Sequence, residues 1–143
     1  MYEIVESLFK NAKGPELSMS PIKAQNALTW DPLKLGTGIV PEEGYSKIFL
    51  KEQAYVFRSA VANVGFTEGI NYWEIIADQK TENELKIGVS TSRDFDLNSA
   101  FCDHAFGFAY YGLGQLRHNS NASGPAYGKR FKKEGILGCC LNM

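Results

Sequence analysis

Asp94, Asp96 and Asn98 alternate along Asp94-Phe-Asp96-Leu-Asn98, the spacing that presents the first three oxygen ligands of a calcium loop. Such a loop then needs a glycine, where Ser99 stands, and a closing bidentate glutamate, where Ala105 stands. The flanking residues read as strands rather than helices, so a solvated acidic loop is expected instead. Cys102-Asp103-His104 sets a thiol near an imidazole, but i,i+2 neighbours seldom make a nucleophile–base contact, and no nucleophile-elbow motif accompanies them. The cysteines and histidines lack the paired spacing of a zinc site. Gly36-Thr-Gly38 and Gly112-Leu-Gly114 have neither the third glycine nor the lysine of a phosphate cradle, so they read as turns. No cofactor and no metal are expected. Arg117-His118-Asn119 has two readings: polar groups that satisfy a turn, or contacts to a partner.

Composition narrows the classes further. The net charge is −1 and the basic residues are scattered, which argues against a nucleic-acid footprint or a polybasic membrane patch. No apolar run approaches the ~20 residues that span a bilayer, and Met1–Lys10 lacks the features of a signal peptide. The cysteines Cys102, Cys139 and Cys140 are odd in number, and two are adjacent; reduced thiols in an intracellular, cytoplasmic setting are expected, with nuclear or cytoskeletal placement as variants. The sequon Asn121-Ala-Ser123 is expected to stay unmodified there.

The elements that must position these residues read mainly as strands. Ile4, Val5, Leu8 and Phe9 form a helical stripe that Gly14-Pro15 stops, predicting an amphipathic helix over 1–14 and a linker over 15–27. From Leu28 the period is two. Tyr55, Phe57, Ser59 and Val61 alternate with Val56, Arg58 and Ala60. Ile70 to Ala77 and Gly135 to Leu141 are apolar on both faces, predicting strands buried on both sides. Trp73 is expected in the core, and Trp30 near a sheet edge. Leu85, Ile87 and Val89 mark another strand, as do Phe106, Phe108 and Tyr110. By parity Tyr110 joins the phenylalanine face and Tyr111 the other, which makes Tyr111 the surface candidate. Long loops are expected over 91–105 and 117–134. The class is all-β, an antiparallel sandwich.

Several motifs in order carry a resemblance. Leu28-Thr-Trp-Asp-Pro32, Gly69-Ile-Asn-Tyr-Trp-Glu-Ile75 and Leu85-Lys-Ile-Gly-Val-Ser-Thr91 come first. Phe106-Gly-Phe108, Arg117-His-Asn119, Tyr127-Gly128 and Gly135-Ile-Leu-Gly-Cys139 follow. Together, over 28–143, they resemble the SPRY family. Two departures stand out: Glu134 precedes Gly135 where the family has an aspartate after the glycine, and the family continues with a further hairpin beyond the position of Met143. The expectation is a SPRY-like domain incomplete at its C-terminus, a fragment or a sandwich completed by another polypeptide.

The resemblance implies a non-catalytic module that binds a protein or peptide through rim loops of the sandwich. The candidate loops are 62–69, 92–104 and 112–124. The candidate contact residues are Arg58, Arg93, Phe95, Phe101, Tyr111, Arg117 and His118, because arginines and aromatics carry much of interface energy. For Arg58, which interrupts an apolar strand, a structural ion pair is the equal alternative. Two other readings accompany this one: a structural subunit buried in a multi-subunit assembly, and the substrate-recruiting part of a ubiquitin ligase, for which no RING-type spacing is present.

Overall fold

The computed structural model describes residues 3–5 (backbone only), 28–51, 56–77, 85–130 and 134–143. Ten strands are described: β1 (Glu3–Val5), β2 (Trp30–Leu35), β3 (Ile39–Glu42), β4 (Lys47–Leu50), β5 (Ala60–Ala62), β6 (Ile70–Ala77), β7 (Lys86–Ser90), β8 (Gly107–Tyr111), β9 (Gln115–His118) and β10 (Gly135–Asn142). They build antiparallel sheets in the orders β1-β10-β6, β2-β5, β3-β4 and β7-β8-β9. The fold is all-β and sandwich-like, as the period-two pattern predicts. No helix among the described residues is long and apolar enough to cross a membrane.

The N-terminal helix is not what the described residues show. Glu3–Val5 is a strand, with Ile4 opposite Leu141 and Val5 opposite Cys140. Two β-branched residues in a row favour a pleated surface when a ladder is at hand, and the exposed edge of β10 supplies one. The rest of 1–14 and the linker 15–27 lie outside the described residues.

β6 and β10 share an unbroken register, from Gly135 opposite Ala77 to Asn142 opposite Ile70. Their expected burial on both faces is corrected. On one face lie Trp73, stacked on Phe66 at 5.5 Å, with Ala77 and Leu141 buried. On the other face Ile70, Tyr72, Ile76 and Ile136 are 75, 58, 74 and 62 % exposed. The apolar run gave no clue to this, because no other described element packs there to cover it.

The core sits under β8. Ala100, Cys102 and Ala109 are buried together, with Phe57 and Phe101 against them. Alanines and glycines on this face of β8 let the 3-10 turn Phe101–Asp103 lie directly on the strand. A Cβ on Gly107 would meet the Phe101 carbonyl oxygen at 2.1 Å. Within 112–124, expected as loop, Gln115–His118 is β9, paired to β8 from Phe108–His118 to Tyr111–Gln115. Only four residues long and largely polar, it shows little periodicity, and the β8 ladder makes it a strand. The segment 56–59 is extended but unpaired as a strand; β5 begins at Ala60.

Candidate functional site

The segment 92–104 is an irregular loop, and an irregular backbone is ordered only if its polar groups find partners. They come from residues far away in sequence. Ser59, buried, donates through Oγ to the Ser99 carbonyl at 2.7 Å and accepts from the Phe101 N–H at 3.0 Å. The Ser59 N–H donates to the Leu97 carbonyl at 2.8 Å. Asn98 Oδ1 accepts from the Thr37 N–H at 2.9 Å. Arg58 donates to the carbonyls of Thr37 (3.2 Å), Phe57 (3.2 Å) and Asn98 (3.3 Å). The approach is close enough that a Cβ on Gly36 would stand 2.4 Å from the Leu97 carbonyl oxygen.

The tip of the loop is held on β2. Arg93 forms an ion pair with Asp31. Lys34 Nζ reaches the Arg93 carbonyl at 3.1 Å and the Asp94 carboxylate at 3.4 Å. Phe95, half-buried, sits beside His104 and Phe106 with ring centroids 6.1 and 6.2 Å away, and those two rings stack at 5.6 Å. The loop thus presents Arg93, Asp94 and one side of Phe95 on a fixed frame.

The oxygens that suggested a calcium loop have partners within the protein. Asp96 accepts from the Asn98 N–H at 2.9 Å, and Asp94 faces Lys34. Among the described residues, no group of three or more His, Cys, Asp or Glu side chains could hold a metal ion. His104 Nε2 lies 2.9 Å from Ser99 Oγ, not against Cys102. Ser99 donates its single proton to the Asp96 carbonyl at 2.8 Å. Burial pushes the Cys102 thiol above its ordinary range, with Lys86 and Arg117 opposing that shift.

Tyr111 and Arg117, expected at the rim, are corrected: both are buried. Parity does place Tyr111 opposite to Phe108, but that face is covered. Phe57 meets the Tyr111 ring edge-on at 6.2 Å, and the Arg117 guanidinium lies 5.2 Å from the ring centroid. Lys86, its side chain 5 % exposed, puts Nζ 3.7 Å over Phe57 and 3.6 Å from the Asp103 carboxylate. Arg117 Nη2 donates to the Asn121 carbonyl at 2.7 Å. These are internal braces between β7, β8, β9 and the 3-10 turn. Tyr110 is buried too and donates to the Lys129 carbonyl.

No protein-family model matches the sequence, and no curated protein matches it.

The remaining candidates divide. His118 is exposed, stacked on Phe108 at 4.0 Å, with its Nδ1 2.8 Å from the Gly107 carbonyl. Asn119 takes a left-handed φ of 49°, which asparagine tolerates, so this residue turns the chain out of β9. Phe101 is half-buried against the core. Arg58 is half-buried and braces loops through the carbonyls of Thr37 and Asn98. The loop 92–104 therefore gathers Arg93 and Phe95 with Arg58 as their support, while Tyr111 and Arg117 belong to the interior. The role of Asp31 and Lys34 has no mark in the sequence; only their side-chain contacts from β2 to the loop reveal it.

Proposed function

We propose that this chain is a SPRY-like, non-catalytic recognition module that binds a protein or peptide partner through the surface of loop 92–104. The observation that carries this reading is the frame under that loop. Its backbone groups are bonded to Arg58 and Ser59, and its Asn98 side chain accepts from the Thr37 N–H, so a partner would meet a formed surface and little ordering entropy would remain to be lost on binding. Arg93 and Phe95 are the contact residues, with Asp31, Lys34 and Arg58 as their supports. His118 is a separate exposed candidate on β9. The intracellular setting belongs to the same proposal, in keeping with three free cysteines.

The structural-subunit reading is favoured by a different observation, the bare apolar face of β6 and β10. Parallel affinity capture separates the two. Wild type, the double variant Arg93→Ala/Phe95→Ala, and the double variant Ile70→Ser/Ile76→Ser are compared by quantitative mass spectrometry. The loop reading expects partners that depend on Arg93 and Phe95 and persist with the sheet variant. A partner set unchanged by the loop variant overturns it.

A further inference from the structure

Arg117 braces β9 with only part of its hydrogen-bonding capacity. A guanidinium carries five N–H donors and no acceptor. Nη2 donates to the Asn121 carbonyl at 2.7 Å, while Nη1 reaches Gln115 Oε1 only at 3.5 Å. Nε is buried and has no hydrogen-bond partner. The whole residue is 7 % exposed. Lys86, over the same Tyr111 ring, is balanced by the Asp103 carboxylate at 3.6 Å. Among the described residues no carboxylate balances Arg117 in the same way. A buried charge is costly unless it is paired, so the site has the electrostatics of one that receives an anion.

Arg117 also lines a groove of about 220 Å³, together with His118, Ser120, Ala122, Ser123 and Pro125. Those five are exposed, so the groove opens to solvent beside a buried cation. None of its lining residues is acidic. Gly124 lets the loop lie hard on β9: a Cβ there would meet the Leu116 carbonyl oxygen at 1.8 Å and Arg117 Cδ at 3.3 Å. The Leu116 N–H donates across to the Pro125 carbonyl at 3.1 Å. Alternate N–H groups of a strand point the same way, so that of His118 faces the loop as well. Ser120 Oγ accepts from the Ala122 N–H at 3.0 Å, which leaves its own proton to donate.

We propose that this groove binds a carboxylate on a short aliphatic stem, with Arg117 supplying the charge beneath it. One unbalanced positive charge matches a monoanion. A phosphate dianion would bring a second charge with no counterpart in the walls. The Ser120 and Ser123 hydroxyls and the His118 N–H are the surface donors, and Ala122 and Pro125 flank the stem. The glutamate side chain of a protein and a free carboxylic acid offer this same chemistry. The site uses no residue of loop 92–104 and does not rest on the function proposed for that loop.

Titration of the full, isotopically labelled chain tests it, followed by the amide and arginine Nε–Hε cross-peaks in nuclear magnetic resonance. The probes are acetyl-Gly-Glu-Gly-amide, acetyl-Gly-Gln-Gly-amide and propionate. The expected result is saturable shifts over residues 116–125 and at Arg117 Nε–Hε with the Glu peptide. The Gln peptide, of the same shape without the charge, is expected to bind about tenfold more weakly. Propionate as tight as the Glu peptide assigns the groove to free acids; weaker propionate assigns it to acidic side chains. Two substitutions at one exposed position give an independent check. Ser123→Asp tethers a carboxylate in the wall, and its dissociation constant for the Glu peptide should lie about tenfold above that of the neutral Ser123→Asn. Equal affinity for the Glu and Gln peptides, shifts that bypass residues 116–125, or equal binding by the two Ser123 variants overturns the proposal.

Discussion

Loop 92–104 and the sheet of β6 and β10 solve the same problem in opposite ways. A regular ladder satisfies its own backbone, strand against strand. Its side chains are therefore not needed to bond main chain, and one whole face, with Ile70, Tyr72, Ile76 and Ile136, stays bare. The loop has no ladder of its own. It is held by side chains from Arg58, Ser59 and Asn98 and by Lys34 across from β2. Polar groups are costly in the interior unless paired, so the irregular region becomes the tightly specified one. Regular secondary structure and burial are separable properties, and this chain separates them.

The largest expected effect lies on the packed side of that contrast. Gly107→Ala sets a methyl group against the backbone of Phe101 and Cys102, which cannot yield without shifting the 3-10 turn. A loss of about 3 kcal/mol is expected from overpacking of this kind, read as a fall in the urea midpoint at unchanged slope. A loss below about 0.5 kcal/mol would show that the turn rests on β8 loosely.

A pH titration sharpens the contrast between the two faces of the sheet itself. Burial pushes the Cys139 thiol up from its ordinary value of 9.0 to about 11. The folded state then holds a proton that the unfolded chain releases, so stability falls as pH rises through the window from about 9 to 11. Urea unfolding across that window should show the slope in wild type and a smaller one in Cys139→Ala. An equal slope in both would assign the pH dependence to other groups.

The smallest effect belongs to the bare face. Ile70→Thr, at an exposed position, is expected to change monomer stability by less than about 0.5 kcal/mol. Unfolding at low protein concentration measures this. A loss of 2 kcal/mol or more would mean that the outer face is covered within the chain, and the contrast drawn between the two regions would collapse.

The strands were largely legible in advance. Lys86–Ser90, Gly107–Tyr111, Ile70–Ala77 and Gly135–Asn142 each follow a reading of apolar or alternating sequence. The surroundings of those strands were not legible. Tyr111 illustrates the gap: parity sets it opposite Phe108, yet Phe57, Lys86 and Arg117 close over its ring. β9 was missed because four mostly polar residues have no period of their own and are strand only through pairing with β8. Asp31 and Lys34 sit about sixty positions from the loop they hold, with no local mark of that role.

What the sequence by itself determined is the all-β class and the two-fold alternation that assigns neighbouring residues to opposite faces, because both follow from the local stereochemistry of an extended chain. Which faces are covered was decided only by the tertiary structure. Coverage depends on segments distant along the chain arriving at the same place: Phe57 arrives over Tyr111, and no described segment arrives over Ile70 and Ile76.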